Sequence, residues 1–189
     1  VFEDGKPQQI VQFLAFARPQ PQAAFATPAP ATPEPRADEE RLPARYVVLA
    51  IDNYFNGERK GTGPAGAMER MEKRSDQEWS LFKLNLWLGR TLWGMMLRDE
   101  QIALDYLASQ PEVDAERIGA EGMSMGSTRA WWLAAIDDRI KVAAPSCYIT
   151  GFEALLSTIG PQDGEQNIFG QLAFGMDHAD YLMMRAPTA

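Results

Sequence analysis

Gly122-Met123-Ser124-Met125-Gly126 decides the reading of this chain. Gly-x-Ser-x-Gly is the pattern of a nucleophile elbow, a tight turn that joins a strand to a helix and lifts a serine hydroxyl to the top of a sheet. Glycine stands on either side because the turn leaves little room for a Cβ. The pattern is short enough to arise by chance, so its flanks carry the weight. Upstream, residues 117–121 (Arg-Ile-Gly-Ala-Glu) predict a short strand. Downstream, residues 127–136, rich in Ala, Trp and Leu, predict a helix. Strand, turn and helix in that order are the context the motif needs.

Working outward, residues 140–144 predict a strand after the polar turn Asp137-Asp138-Arg139. Residues 151–159 and 180–185 read as short helices, the last one ahead of Pro187. On the other side, residues 95–110 form the clearest helix. Met96, Ala103 and Leu107, and likewise Met95, Ile102 and Tyr106, repeat at spacings of seven and four. Pro111 ends it, and residues 113–116 turn the chain into the elbow strand. Residues 68–89 are polar, then aromatic, and helical in parts. Residues 53–67 form a Gly-rich loop; its Lys60-to-Gly66 stretch lacks the Gly-Lys-Ser/Thr ending of a phosphate loop. Residues 46–52 (Tyr-Val-Val-Leu-Ala-Ile-Asp) are an apolar run ending in a carboxylate, which fits a buried parallel strand covered on both faces. Residues 18–36, dense in Pro and Ala, read as an extended linker, since Pro lacks the amide donor of a helix or central strand. Residues 37–42 allow a short helix, and residues 10–17 a strand. Strands separated by helices of this length predict βαβ units and a parallel sheet.

At 189 residues the chain has the length of one domain with a real core. Its composition, 46% hydrophobic and 23% charged, is that of a soluble globular protein. A net charge of −8 argues against nucleic acid and anionic membrane surfaces as partners. No apolar run reaches the ~20 residues of a membrane span, and residues 1–17 lack the basic stretch and long apolar core of a signal peptide. A single cysteine, Cys147, excludes an internal disulfide and leaves the compartment open. One cysteine and one histidine are too few for a zinc site, and no cofactor is expected.

The residues also carry a family resemblance. Asp114-Ala-Glu-Arg-Ile-Gly, the elbow, and Ala134-Ala-Ile-Asp-Asp-Arg-Ile-Lys-Val-Ala-Ala resemble the middle of an α/β-hydrolase, nearest to the acetyl xylan esterase and dienelactone hydrolase-like group. Tyr46-to-Arg59 resembles the strand and loop before that group's long helix. His178-Ala-Asp-Tyr-Leu-Met-Met-Arg-Ala-Pro resembles the lead into its acid-bearing strand. The resemblance covers residues 46–187 and is tightest at the elbow. It implies an α/β fold, with an α/β-hydrolase-type parallel sheet, helices on both faces, and an incomplete set of strands. Residues 46–189 would be the partial hydrolase domain and residues 1–45 an N-terminal segment with the Pro/Ala-rich linker.

The resemblance further implies serine chemistry. Ser124 would attack an ester carbonyl, the Met125 amide would stabilise the oxyanion, and a histidine oriented by a carboxylate would take the proton. Three departures stand against the pattern. The family order is serine, acid, histidine, and the chain reaches Ala189 where the acid-bearing strand should begin. The nearest equivalent of the oxyanion loop, Ala17-Arg18-Pro19-Gln20, has neither His nor Gly. Glu121 puts a carboxylate near the end of the nucleophile strand, which is costly to bury unpaired. The sequence therefore reads as a partial or altered hydrolase. His178, the single histidine, is the candidate base; the competing reading makes it a surface or capping residue ahead of Asp180. Trp79, Trp87 and Trp93 are read as packing in preference to a sugar site, and Trp131 and Trp132 likewise.

Three functions follow as expectations. The first is a serine carboxylic-ester hydrolase acting on a small-molecule or polysaccharide ester, such as acetylated or feruloylated plant polysaccharide. The second is a non-catalytic or truncated hydrolase-like chain that binds a ligand or assembles with a partner chain or a second copy, which would complete the sheet. The third, a peptidase of the prolyl-oligopeptidase type, needs the same absent histidine.

Overall fold

The computed structural model describes residues 11–17, 46–54, 59, 75–158, 160 and 166–187. Among the described residues four strands form one sheet: β1 (Val11–Ala17), β2 (Tyr46–Ala50), β3 (Val113–Met123) and β4 (Ile140–Ser146). Their order is β2-β1-β3-β4. Among the described residues five helices accompany them: α1 (Ser75–Trp87), α2 (Leu92–Ser109), α3 (Met125–Ile136), α4 (Phe152–Thr158) and α5 (His178–Met183).

The βαβ unit read from the sequence is β3-α3-β4, and its strands are parallel. β1 is the exception to a parallel sheet, because it runs antiparallel to both β2 and β3. β2, β3 and β4 therefore share one direction. β1 sits between β2 and β3. The linker and short helix read into residues 18–45 lie outside the described residues.

The core lies on one face. Phe13, Ala15, Ile118, Ala120 and Ile140 meet Leu104 and Leu107 of α2 and Leu133 of α3. On the opposite face Tyr46, Val48 and Val142 are more than half exposed. Helices on both faces are thus not found among the described residues. β2 is an edge strand of the described sheet with alternating exposure, not a strand covered on both sides.

Helix α2 begins earlier than the spacing predicts because Thr91 caps it, its hydroxyl accepting from the Gly94 N–H at 2.9 Å. Its buried stripe runs through Leu92, Met96, Glu100, Ala103 and Leu107; Met95, Ile102 and Tyr106 face outward. Residues 113–116, read as a turn, extend β3 instead. Here the Asp114 carboxylate accepts the Glu116 N–H and pairs with Arg117, which stabilises an irregular strand start. The Asp137–Arg139 turn is present. Arg139 donates to Asp137 and reaches Asp105 on α2 at 2.6 Å, and its guanidinium holds the Asp137 carboxyl below the ordinary value.

Candidate active site

Ser124 stands between the last residue of β3 and the first residue of α3, with φ 56° and ψ −121°. A non-glycine residue at positive φ is strained, and an elbow nucleophile is where such strain is expected. The surrounding geometry holds the strain. The Ser124 N–H donates to the Ser146 carbonyl at 3.0 Å, so the elbow is pinned to the end of β4. The Ser124 carbonyl accepts from the Thr128 N–H at 3.2 Å and opens the helix. The hydroxyl makes no capping bond and the residue is half-buried. Main-chain groups are thus committed, while the hydroxyl has no hydrogen-bond partner among the described residues.

Gly122 and Gly126 explain the motif spatially. A Cβ on Gly122 would lie 2.2 Å from the Gly126 carbonyl oxygen, far inside contact distance. Met125, fully buried, packs among Leu92, Trp93, Met96 and Leu97 of α2. Its N–H is the first of α3 and has no acceptor within the helix. At that end the helix dipole favours negative charge.

β1's direction changes the oxyanion argument. Val11 pairs with Gly122, while Ala17 pairs with Val113 at the far end of β3. Ala17 therefore lies at the end of the sheet opposite Ser124, and residues 18–20 of the stretch read as the oxyanion loop lie outside the described residues. The loop after β2 lies at the correct end, since Ala50, Gln12 and Glu121 share a register level. From it, buried Asn53 donates through Nδ2 to the Met125 sulfur at 3.4 Å. Arg59 stacks over Tyr54, pairs with Asp99 of α2 and donates to the Asp52 carbonyl, tying this loop to α2.

His178 is neither exposed nor a cap. It is the first residue of α5 and only 2% exposed. Trp131, Tyr148 and Phe152 surround its ring with centroids 5.4, 5.8 and 4.6 Å away. Its Nδ1 accepts the Thr150 N–H at 3.3 Å. Burial lowers its pKa from the ordinary value; the Asp177 charge and the Thr150 bond oppose this less strongly. Asp177 is the cap of α5. Its carboxylate accepts the backbone N–H of His178 and of Phe152, and does not orient the imidazole. No hydrogen bond joins His178 to Ser124 among the described residues.

Glu121 escapes the burial cost expected of it. It is half-buried on the open face of the sheet, in a cleft also lined by Arg117 and Lys141. Trp93 and Trp131 are core residues, Trp79 is half-exposed, and Trp87 at 85% exposure packs little. Asn53, Glu100 and Arg129 are buried polar or charged residues that the sequence reading passed over. Arg129 left a signal, as the one charged residue of residues 125–136; Glu100, between Asp99 and Gln101, left none.

A serine held at positive φ between a sheet strand and the helix after it defines an α/β-hydrolase. Over residues 40–171 the chain matches the dienelactone hydrolase family, and it belongs to that family. It is 40% identical over 124 residues to "Putative hydrolase YtaP" of Bacillus subtilis (strain 168), an alignment covering 66% of this chain. The chain spans 37% of the length of that curated relative. No solved structure matches it. No described helix is long and apolar enough to cross a membrane.

Proposed function

We propose that this chain carries the nucleophile of a serine carboxylic-ester hydrolase. The conformation of Ser124 carries the reading: both main-chain groups are bonded and the hydroxyl is left without a cap partner. Ser124 Oγ attacks the ester carbonyl carbon, and the developing oxyanion takes the Met125 N–H at the start of α3. A base must accept the hydroxyl proton. His178 cannot do so in this arrangement, because Nδ1 already accepts from Thr150 and Nε2 of the neutral ring then carries the proton. The reading therefore assigns the base to a group other than His178. Acylated plant polysaccharide, of the acetyl xylan or feruloyl type, is the substrate class we propose; it rests on the family resemblance.

Hydrolysis of nitrophenyl acetate by the wild type, Ser124→Ala and His178→Ala tests this. Loss in Ser124→Ala with activity retained in His178→Ala is expected. An unchanged rate in Ser124→Ala overturns it. Acetyl xylan and a feruloyl sugar ester then separate the two substrate types.

A second reading, an assembly module, is favoured by the open sheet face where Tyr46, Val48 and Val142 are exposed. Sedimentation of the wild type against Val48→Lys tests it. A single monomeric species in both, with full serine-dependent hydrolysis, removes it.

A further inference from the structure

Glu100 of α2 and Arg129 of α3 form an ion pair sealed from solvent, at 0% and 1% exposure. Arg129 is the one partner of the Glu100 carboxylate among the described residues. Stability alone gives little reason for such a pair, since well-packed apolar residues of similar volume often hold a fold as well or better. Its position suggests a reason. Arg129 follows Ser124 by five residues, about one and a half helical turns. One turn earlier, Met125 sits among Leu92, Trp93, Met96 and Leu97 on the same α2 surface. The nucleophile helix is therefore held against α2 at two heights. The first contact is apolar and non-directional, so it tolerates roll and sliding. The second joins a planar fork to a carboxylate and has a preferred geometry.

We propose that Glu100 and Arg129 are positioning residues for the elbow: their buried pair fixes the roll and axial position of α3, and through it the Met125 N–H and the Ser124 hydroxyl. The proposal rests on Ser124 being the nucleophile. Neither residue touches substrate in it.

The test compares Glu100→Leu/Arg129→Met, which removes both charges at similar volume, with Arg129→Met alone. The single variant, which leaves a dry carboxylate unpaired, is expected to melt well below the wild type. The double variant is expected to regain the wild-type midpoint yet hydrolyse nitrophenyl acetate about 10²-fold more slowly in kcat, with KM unchanged. It should also exchange the amides of residues 125–129 faster. Wild-type kcat and wild-type exchange in the stable double variant overturn the proposal. If the double variant does not fold, Arg129→Lys carries the comparison, with a lowered kcat at unchanged KM supporting the pair's role and an unchanged kcat ending it. A wild type that hydrolyses no ester sinks the nucleophile reading instead, and the exchange of residues 125–129 alone then decides the positioning claim.

Discussion

The carbonyl of Gly126 occupies the space that a side chain on Gly122 would need. An ideal Cβ on Gly122 falls 2.2 Å from that oxygen and 2.3 Å from the carbonyl carbon. Both atoms belong to the backbone of α3's first turn, so neither can swing aside. Gly122→Ala must push β3 and α3 apart. A destabilisation of about 1–3 kcal/mol is expected, the usual cost of overpacking. Urea unfolding reads it, and a midpoint equal to the wild type's would show that the two elements are not in contact as described.

Ser124 offers the opposite case. Its φ of 56° strains any residue with a Cβ. Ser124→Gly relieves the strain and Ser124→Ala keeps it. The glycine variant is expected to be the more stable of the two by about 1 kcal/mol, after allowing for glycine's looser unfolded chain. Both should lack serine-dependent hydrolysis. Equal thermal midpoints for the two variants would argue against a strained elbow.

His178 predicts a pH dependence with a definite sign. Its pKa in the fold lies below the ordinary 6.5, chiefly through burial. The unfolded chain then binds the proton more readily. The contribution to stability is fully present above about pH 6.5 and is lost as pH falls from there through the folded value. Protonation also abolishes the Nδ1 acceptor for Thr150. The chain has a single histidine, so no other side chain titrates in that window at its ordinary value. Unfolding midpoints measured between pH 7.5 and 5.5 should fall in the wild type, and the slope should flatten in His178→Gln. Identical slopes would contradict the buried neutral imidazole.

Asp177 anchors two chain segments at once. Its carboxylate accepts from Phe152 at 3.0 Å and from His178 at 2.7 Å, and Asp180 returns a bond to the Asp177 N–H in a capping box. Asp177→Ala is expected to destabilise by about 1–2 kcal/mol, the range of a lost helix cap. Hydrogen exchange should rise at both Phe152 and the first turn of α5. A change confined to α5 would show that the link to Phe152 carries no stability.

The elbow was legible because its requirements are local. Two glycines, a serine and the flanking patterns sit within about twenty residues, and the same steric rules act in any chain. α2, α3, β3 and β4 were legible for the same reason. The edge placement of β2 and the reversed direction of β1 were not, because an apolar run fixes neither neighbour nor polarity. β1's reversal also moved Ala17 away from the site, which no spacing along the chain foretells.

His178 shows the limit most clearly. As the single histidine it was the natural candidate for base, but a histidine's role depends on which atoms face its two nitrogens. Only the packing of α5 against Trp131, Tyr148 and Phe152 decided that, and it gave Nδ1 to Thr150. The pairing of Glu100 with Arg129 was likewise invisible, since the two charges lie twenty-nine positions apart and meet only when α2 and α3 dock. The chain by itself determined where a strained serine would stand, because backbone sterics act between neighbours. Tertiary structure decided what surrounds that serine, because electrostatics and burial act through space.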